Sequence, residues 1–324
     1  MNARSSSFAR QFDSDAGSSG SRVGGPGGLS VAVGIATIGR AAILAETLAD
    51  LSRQSHRPDR IIVCCTDPRD VAGALPPGAA VELIFSPPGL PRQRNAILDA
   101  ADDCDIVLFL DDDFLMEPDY VAETVAAFEA RPRLAVSTGT VLADGIKGPG
   151  LTPAEGRSIL VLAADGPERA DGRFAVETFC GYGCNMAVRT ALVKEHGIRV
   201  DERLPLYAWQ EDVDFTRRLG VHGDVLRLTR ARGVHLGVKG GRNPGIKLGY
   251  SQVANPLYLA RSSGGRTYPY RYALERIWRN VASNLVRAAC PEPHVDRRGR
   301  LRGNVLALRD LLSGRMAPDR VLKL

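Results

Sequence analysis

The chain has 324 residues, 44% apolar and 24% charged, with a formal charge of +5. That length can bury a large core, and the balance excludes collagen-like, wholly disordered and multispanning membrane classes. The charge is uneven: from Arg261 onward there are 14 Lys+Arg against 5 Asp+Glu, while the preceding 260 residues hold 28 against 32. A near-neutral body and a strongly basic tail therefore call for separate explanations.

Residues 1–28 contain seven Ser and six Gly and no long apolar run. They read as a disordered tail without a signal peptide. Leu29 to Ala36 is an apolar run of buried-strand length, broken by Thr37-Ile-Gly-Arg40. Ile43, Leu44, Leu48 and Leu51 then fall on one helical stripe. Arg60 to Cys65 and Val81 to Phe85 read as strands, Pro91 to Ala101 as a helix, and Asp105 to Leu110 as a fourth strand running into Asp111-Asp-Asp113. A helix is expected from about Asp119 to Ala130 and a strand from Leu134 to Thr140. Gly145 to Gly156 is Gly/Pro-rich and reads as a loop. Strands are expected near Ser158 to Ala163 and Phe174 to Thr178, and helices near Thr190 to His196 and from Glu211 to Leu219. The last 60 residues read as mainly helical. Apolar strands alternating with helices indicate an α/β fold with a parallel sheet covered on both faces.

The six cysteines sit mostly in apolar surroundings and do not form a disulfide framework for a chain of this length. Cys180 and Cys184 have no second Cys/His pair at zinc-site spacing. A cytoplasmic location is expected. The longest apolar runs, such as Ile106 to Leu110, are too short to span a bilayer.

In an open parallel sheet, ligands bind beyond the carboxyl ends of the strands. Thr37 to Arg40, Asp67 and Asp111 to Asp113 fall there. Three adjacent carboxylates repel one another unless a cation intervenes. A hard divalent ion would satisfy them and hold substrate phosphates; a solvated acidic turn is the other reading. Glu211, Asp212 and Asp214 follow Gln210 near a helix start. They read either as dipole-favoured first-turn residues or as carrying a general base. His235, between Gly233 and Gly237, reads as a structural histidine or a ligand. Lys239 and Arg242 lie in a Gly-rich segment able to meet phosphates, without the full P-loop pattern.

The ordered set of motifs resembles glycosyltransferase family 2 with its GT-A fold, an α/β, Rossmann-like, mostly parallel sheet flanked by helices. The matching stretches are VAVGIATIGR, Asp67, GLPRQRNAIL, LFLDDDF, FCGYGCNMAVRTAL, QEDVDFTRRL and GVHLG, spread over roughly residues 30–240. The resemblance implies a catalytic domain over 29–245, with a nucleotide-binding half (29–140) and an acceptor-binding half (141–245), and a basic helical extension over 246–324. It places Thr37, Arg40, Asp67, Arg92, Arg94, Asn95, Asp111, Asp112 and Asn185 on the donor, with Asp67 meeting the base, as in uridine nucleotides. It gives Mn²⁺ or Mg²⁺ to Asp111, Asp113 and His235, and the role of general base to Asp212. Glu211 and Trp209 face the acceptor, and Lys239 and Arg242 the phosphates. The implied reaction is a metal-dependent, inverting transfer from a nucleotide-diphosphate-sugar to a hydroxyl of a glycan or lipid-linked saccharide.

In the tail, Leu274, Ile277, Trp278, Val281 and Leu285 share one helical stripe, and Val305, Leu308, Leu311 and Leu312 follow. Two readings stand: helices packed on the catalytic domain, or an amphipathic surface attached to the inner membrane face through anionic lipid. Nucleic acid is not an expected partner, because no recognised module is present. Two rival functions remain. A nucleotidyltransferase would need a Gly-rich, basic loop after the first strand, where TIGRAAIL has one Gly. A non-catalytic sugar- or membrane-binding scaffold would need neither a base nor a metal.

Overall fold

The structure, a computed structural model, describes residues 28–75, 78, 80–164, 174–239, 244–290 and 292–324. The expected N-terminal tail, apart from Gly28, lies outside them. Four parallel strands form one half of the sheet: β1 (Val31–Ala36), β2 (Arg60–Cys65), β3 (Val81–Phe85) and β4 (Ile106–Asp111). The helices α1 (Ala41–Ser52) and α2 (Leu90–Ala100) connect them. Next come β5 (Phe114–Met116), α3 (Tyr120–Ala130), β6 (Leu134–Asp144), α4 (Pro153–Ala164), β7 (Ala175–Glu177), β8 (Asn185–Arg189), α5 (Thr190–Glu195), α6 (Glu211–Leu219) and β9 (Asp224–His235). The strand order is β3-β2-β1-β4-β8-β6-β9-β5, with β7 on β9. The long registers are parallel; β8, β5 and β7 pair antiparallel.

Period-two alternation splits each central strand between two cores. Val31, Val33, Ile35, Leu108 and Leu110 pack with Leu44, Leu48, Val121 and Phe128 of α1 and α3. Ala32, Ile62, Val107 and Phe109 pack with Ile97, Val193, Phe215 and Leu219 of α2, α5 and α6. Each such fully buried Leu, Ile or Phe contributes roughly 1.5–3 kcal/mol relative to exposure. The mostly parallel α/β sheet covered on both faces is therefore present as expected. Its register also aligns the strand ends, because Ala36 pairs with both Cys64 and Asp111. Thr37, Thr66-Asp67 and the Asp cluster thus emerge along one edge.

The strand expected near Ser158 to Ala163 is instead part of helix α4. Its apolar run fits either state by pattern. The helix is started by Thr152 and Glu155, which cap each other: Thr152 N–H donates to Glu155 Oε2 at 2.7 Å, and Glu155 N–H to Thr152 Oγ1 at 3.2 Å. Strands β5 and β8 were not expected from pattern and are supplied by sheet pairing.

The tail is helical as expected: α7 (Gly245–Ser262), α8 (Tyr270–Arg287) and α9 (Arg297–Leu312). Among the described residues no helix is long and apolar enough to cross a membrane. A buried amide chain joins the three. Asn284 Nδ2 donates to Gln252 Oε1 and Asn304 Oδ1, both at 2.9 Å, and Asn304 Nδ2 donates to the Gly249 carbonyl at 2.7 Å. Gly249 and Gly303 let α7 and α9 touch backbone to backbone. A Cβ on Gly303 would sit 2.1 Å from the Ile246 carbonyl oxygen and 2.6 Å from the Tyr250 nitrogen. Gly303→Val should therefore destabilise the protein by about 3 kcal/mol, read as a lower urea midpoint. An unchanged midpoint would mean the helices are free to separate.

Candidate functional site

The turn after β4 carries the acidic cluster. Antiparallel pairing of β5 with β9 sets Phe114 opposite His235, bringing the imidazole over this turn. His235 Nε2 lies 3.4 Å from Asp113 Oδ1 and 3.7 Å from Asp111 Oδ2. One ligand atom from each of the three fits within 4.8 Å of the others. Asp113 Oδ2 accepts the Val238 N–H at 2.8 Å, whereas buried Asp113 Oδ1 has no hydrogen-bond partner among the described residues. An orphaned carboxylate oxygen facing an imidazole nitrogen and a second carboxylate suits a hard divalent ion.

The other His235 nitrogen is held by a residue that sequence reasoning missed. Nδ1 lies 2.9 Å from Asp144 Oδ1, and Tyr182 Oη donates to Asp144 Oδ2 at 2.9 Å. Asp144 ends β6, paired in register with His235 on β9. No local motif marks it; the long-range pairing alone brings it in. Burial opposes a charge on His235. The hydrogen bond to Asp144 and the facing carboxylates of Asp113 and Asp111 outweigh that and push its pKa up to about 10.

Asp112 points the other way. It is fully buried and accepts from Thr37 Oγ1 at 2.6 Å and Arg40 Nε at 3.1 Å, with Arg40 Nη2 2.6 Å from its second oxygen. Burial, with Asp113 alongside, pushes the Asp112 pKa up to about 7 against the pull of Arg40. The structure therefore gives Thr37 and Asp112, expected on the donor, the task of anchoring Arg40. Arg40 itself is partly exposed and reaches to 3.6 Å from Asp113.

Arg94 joins the two acidic motifs. Almost fully buried, its guanidinium pairs with Glu211, donates to the Gly183 carbonyl at 2.6 Å and lies 3.5 Å from Asp111. Glu211, expected at the acceptor, is buried at 4% exposure, and burial pushes its pKa up to about 8 despite Arg94. Its role in this structure is the Arg94 pair. Asp212 is half-buried at the start of α6; its Oδ2 accepts the Gly183 N–H at 2.9 Å. One glycine thus links Asp212 to Arg94, and through it to Asp111. Trp209 is half-buried and lies near exposed Tyr207, ring centroids 6.3 Å apart.

The remaining expected residues divide. Asp67 is exposed beside a shallow cleft lined by Asp70, Phe85, Ser86 and Pro88. Its bidentate bond from Arg69 holds its pKa near about 2, so it stays ionised. Arg92 is half-exposed, 3.8 Å from Glu202. Asn95 is buried and spends its amide on Val200 and Glu202, and Asn185 spends its own on Thr138 and Gly139. The geometry makes these two asparagines staples rather than cleft residues. Lys239 Nζ donates to the Gly145 and Ile146 carbonyls at 3.0 and 2.9 Å. Arg242 lies outside the described residues.

The sequence matches the family described as "Glycosyl transferase family 2" over residues 32–197, just over half of the chain. Solved structures share the GT-A fold at low identity. TarS residues 1–349 of S. aureus, in complex with UDP-GlcNAc, match with a TM-score of 0.56 and 15% identity, over 90% of this chain and 83% of that one. The mannosyltransferase PcManGT of Pyrobaculum calidifontis, with GDP-Man and Mn²⁺, matches with a TM-score of 0.50 and 15% identity, over 91% and 85%. GalNAc-T7 with UDP, GalNAc and Mn²⁺ matches with a TM-score of 0.54 and 13% identity, over 92% of this chain but 57% of that one. No curated protein sequence matches.

The His235 shift carries a sign. Its folded pKa is raised, so the imidazolium stabilises the metal-free fold fully below about 6.5, and that contribution is lost as pH rises through about 10. A metal ion would have to displace this proton. Calorimetric Mn²⁺ titrations at pH 7.5 in buffers of different ionisation heat should show about one proton released per ion. Apparent affinity should rise up to about tenfold per pH unit from 7 to 9. Binding independent of pH would remove His235 from the ligand set.

Proposed function

The chain belongs to glycosyl transferase family 2, and on that premise we propose that this glycosyltransferase moves a sugar from a uridine-diphosphate-sugar to a hydroxyl of a glycan or lipid-linked saccharide, inverting the anomeric centre. The observation that carries the reading is the Arg94–Gly183 bridge, which through the Gly183 backbone joins the Asp111/Asp113/His235 cluster and Asp212 in one network of hydrogen bonds and ion pairs.

Asp212 accepts the proton of the acceptor hydroxyl as its oxygen attacks the anomeric carbon. The bond from that carbon to the diphosphate breaks, its electron pair leaving with the nucleotide. Both Asp212 oxygens accept backbone N–H groups, from Gly183 and from Val213 at 2.9 Å, which fixes the direction of its lone pairs. Asp111, Asp113 and His235 would hold Mn²⁺ or Mg²⁺, which when bound neutralises charge developing on the diphosphate. Arg40 adds a fixed positive charge beside them. Asp67, ionised next to Phe85, supports a base-accepting edge with a ring to stack on, consistent with uracil. Arg92 is exposed enough to meet the donor, and Trp209 with Tyr207 offers an aromatic flank for an acceptor sugar.

The tail gives the acceptor its setting. The expected apolar stripe of α8 divides: Ile277 and Val281 pack inward, whereas Leu274, Trp278 and Leu285 are 58%, 71% and 60% exposed. Arg271 and Arg279 flank these exposed side chains. An apolar strip bordered by arginines fits an anionic lipid surface at the inner membrane face, where a lipid-linked acceptor would lie.

A panel of nucleotide-sugars with a saccharide or lipid-linked acceptor, with and without Mn²⁺, tests the activity. Asp212→Asn should lower turnover about 10²–10⁴-fold while nucleotide binding stays within twofold of the parent. Near-normal turnover in that variant would sink the assignment. In vesicle flotation, the protein should float with 30% anionic lipid, sink with neutral lipid, and lose flotation in Trp278→Glu/Leu274→Glu. Flotation indifferent to lipid charge would remove the membrane surface from the reading.

A further inference from the structure

We propose that Tyr268 and Asn255 of the helical extension are positioning residues for the base Asp212, acting through the two residues that precede α6. This rests on the reading of Asp212 as the base.

Three non-glycine residues among those described have positive φ, and all lie in one five-residue stretch: Leu206 (62°), Ala208 (51°) and Gln210 (74°). Each is held in the left-handed region, at a cost of order 1 kcal/mol or more, and such backbone persists only where its surroundings over-determine it. Gln210 is the residue from which α6 starts, with Glu211 and Asp212 next. The stretch is gripped from both sides. On the catalytic side, the Leu90 N–H donates to the Leu206 carbonyl at 3.1 Å. On the extension side, Asn255 Nδ2 donates to the Trp209 carbonyl at 3.1 Å, and Tyr268 Oη donates to Gln210 Oε1 at 2.7 Å.

Asn255 and Tyr268 are both fully buried. Asn255 ties the backbone of the strained stretch and Tyr268 the side chain of Gln210, and either buried donor resists relaxation of the stretch because letting go leaves it unpaired. Tyr268 is itself held edge-on to Tyr272, ring centroids 5.2 Å apart, and Tyr272 lies 4.8 Å from Phe179, next to the loop whose Gly183 N–H binds Asp212. Leu204, Ala208 and Val213 pack with Leu259, Ala260 and Ala273 around the same corner. The α7–α8 turn thereby fixes the backbone from which Asp212 projects. A base displaced by about 1 Å can lose about a hundredfold in rate.

The test removes the tie and keeps the packing. Tyr268→Phe deletes one hydroxyl from a ring that stays clasped, and Gln210→Met deletes the acceptor at a half-buried site. Each should lower kcat about tenfold or more, with donor KM within twofold and with binding of UDP or GDP, whichever the active donor carries, unchanged. The double variant should fall no more than about twofold below either single one, because both break the same bond. Three results would overturn the proposal: either single variant with kcat within twofold of the parent, a donor KM that rises in step with the loss, or additive losses in the double variant. Asp212→Asn is run alongside. If it is inactive while Tyr268→Phe is normal, this inference fails alone; if it turns over normally, the base assignment fails first.

Discussion

Six carboxylates crowd one edge of the sheet: Asp111, Asp112, Asp113, Asp144, Glu211 and Asp212. Half of them, Asp112, Asp113 and Glu211, are buried, so the fold must neutralise that charge internally or lose stability. Arg40 and Arg94 take the first share, and each takes the carboxylate that lies deepest beside it, Asp112 and Glu211. His235, clamped by Asp144, takes a second. What remains is Asp111, Asp113 and Asp212, the groups to which the proposed function gives the metal and the base. Both arginines also reach the remaining oxygens at longer range, Arg40 to 3.6 Å from Asp113 and Arg94 to 3.5 Å from Asp111. Structural ion pairs and the reactive set are thus two parts of one charge balance.

The split in formal charge between body and tail gains a physical meaning from this. The body is acidic because it concentrates carboxylates at the sheet edge. The tail is basic on its outside, and its inside is mostly amide, tyrosine and glycine (Asn284, Asn304, Gln252, Tyr250 and the Gly249–Gly303 contact), with the buried carboxylate of Asp310 paired by Tyr250 Oη and Arg320. An interior without unpaired charge lets three helices pack tightly against one another. Exposed arginines such as Arg279 cost little, and Arg297, mostly buried, is paired with Glu292. A segment that composition alone marks as an appendage therefore has a specific inner surface, which meets the backbone just ahead of α6.

Much of this architecture is legible in the sequence because it obeys local rules. Strands β1 to β4 read as buried runs, and α6 begins where its acidic first turn begins. The readings fail where the determining contact is distant in the chain. Strand β5 is three residues long and exists only through β9, and Asp144 becomes relevant only because β6 and β9 pair in register. Asn95 and Asn185 are polar residues in motif-like settings. Whether such a side chain faces a cleft or a neighbouring carbonyl is set by tertiary packing, and here both face carbonyls. Helix α4 differs: its Thr152-Pro-Ala-Glu155 start is a local signal, outweighed in a reading that gave the β-branched, apolar SILVLAA run more weight.

The acidic triplet spans a strand end and a turn: Asp111 ends β4, and Asp112 and Asp113 form the turn that leads into β5. Across this turn Asp111 and Asp113 both face His235 Nε2, and Asp112 faces Thr37 and Arg40. Here the two carboxylates one residue apart converge on one imidazole nitrogen, while the one between them points away. The middle position has to be either apolar and buried or charged and paired. In this chain it is charged, and Arg40, fixed by Asp112, is carried to the edge of the cluster as a result. Asp112 is therefore not redundant: its pairing with Arg40 sets a cation of the protein's own beside the cluster.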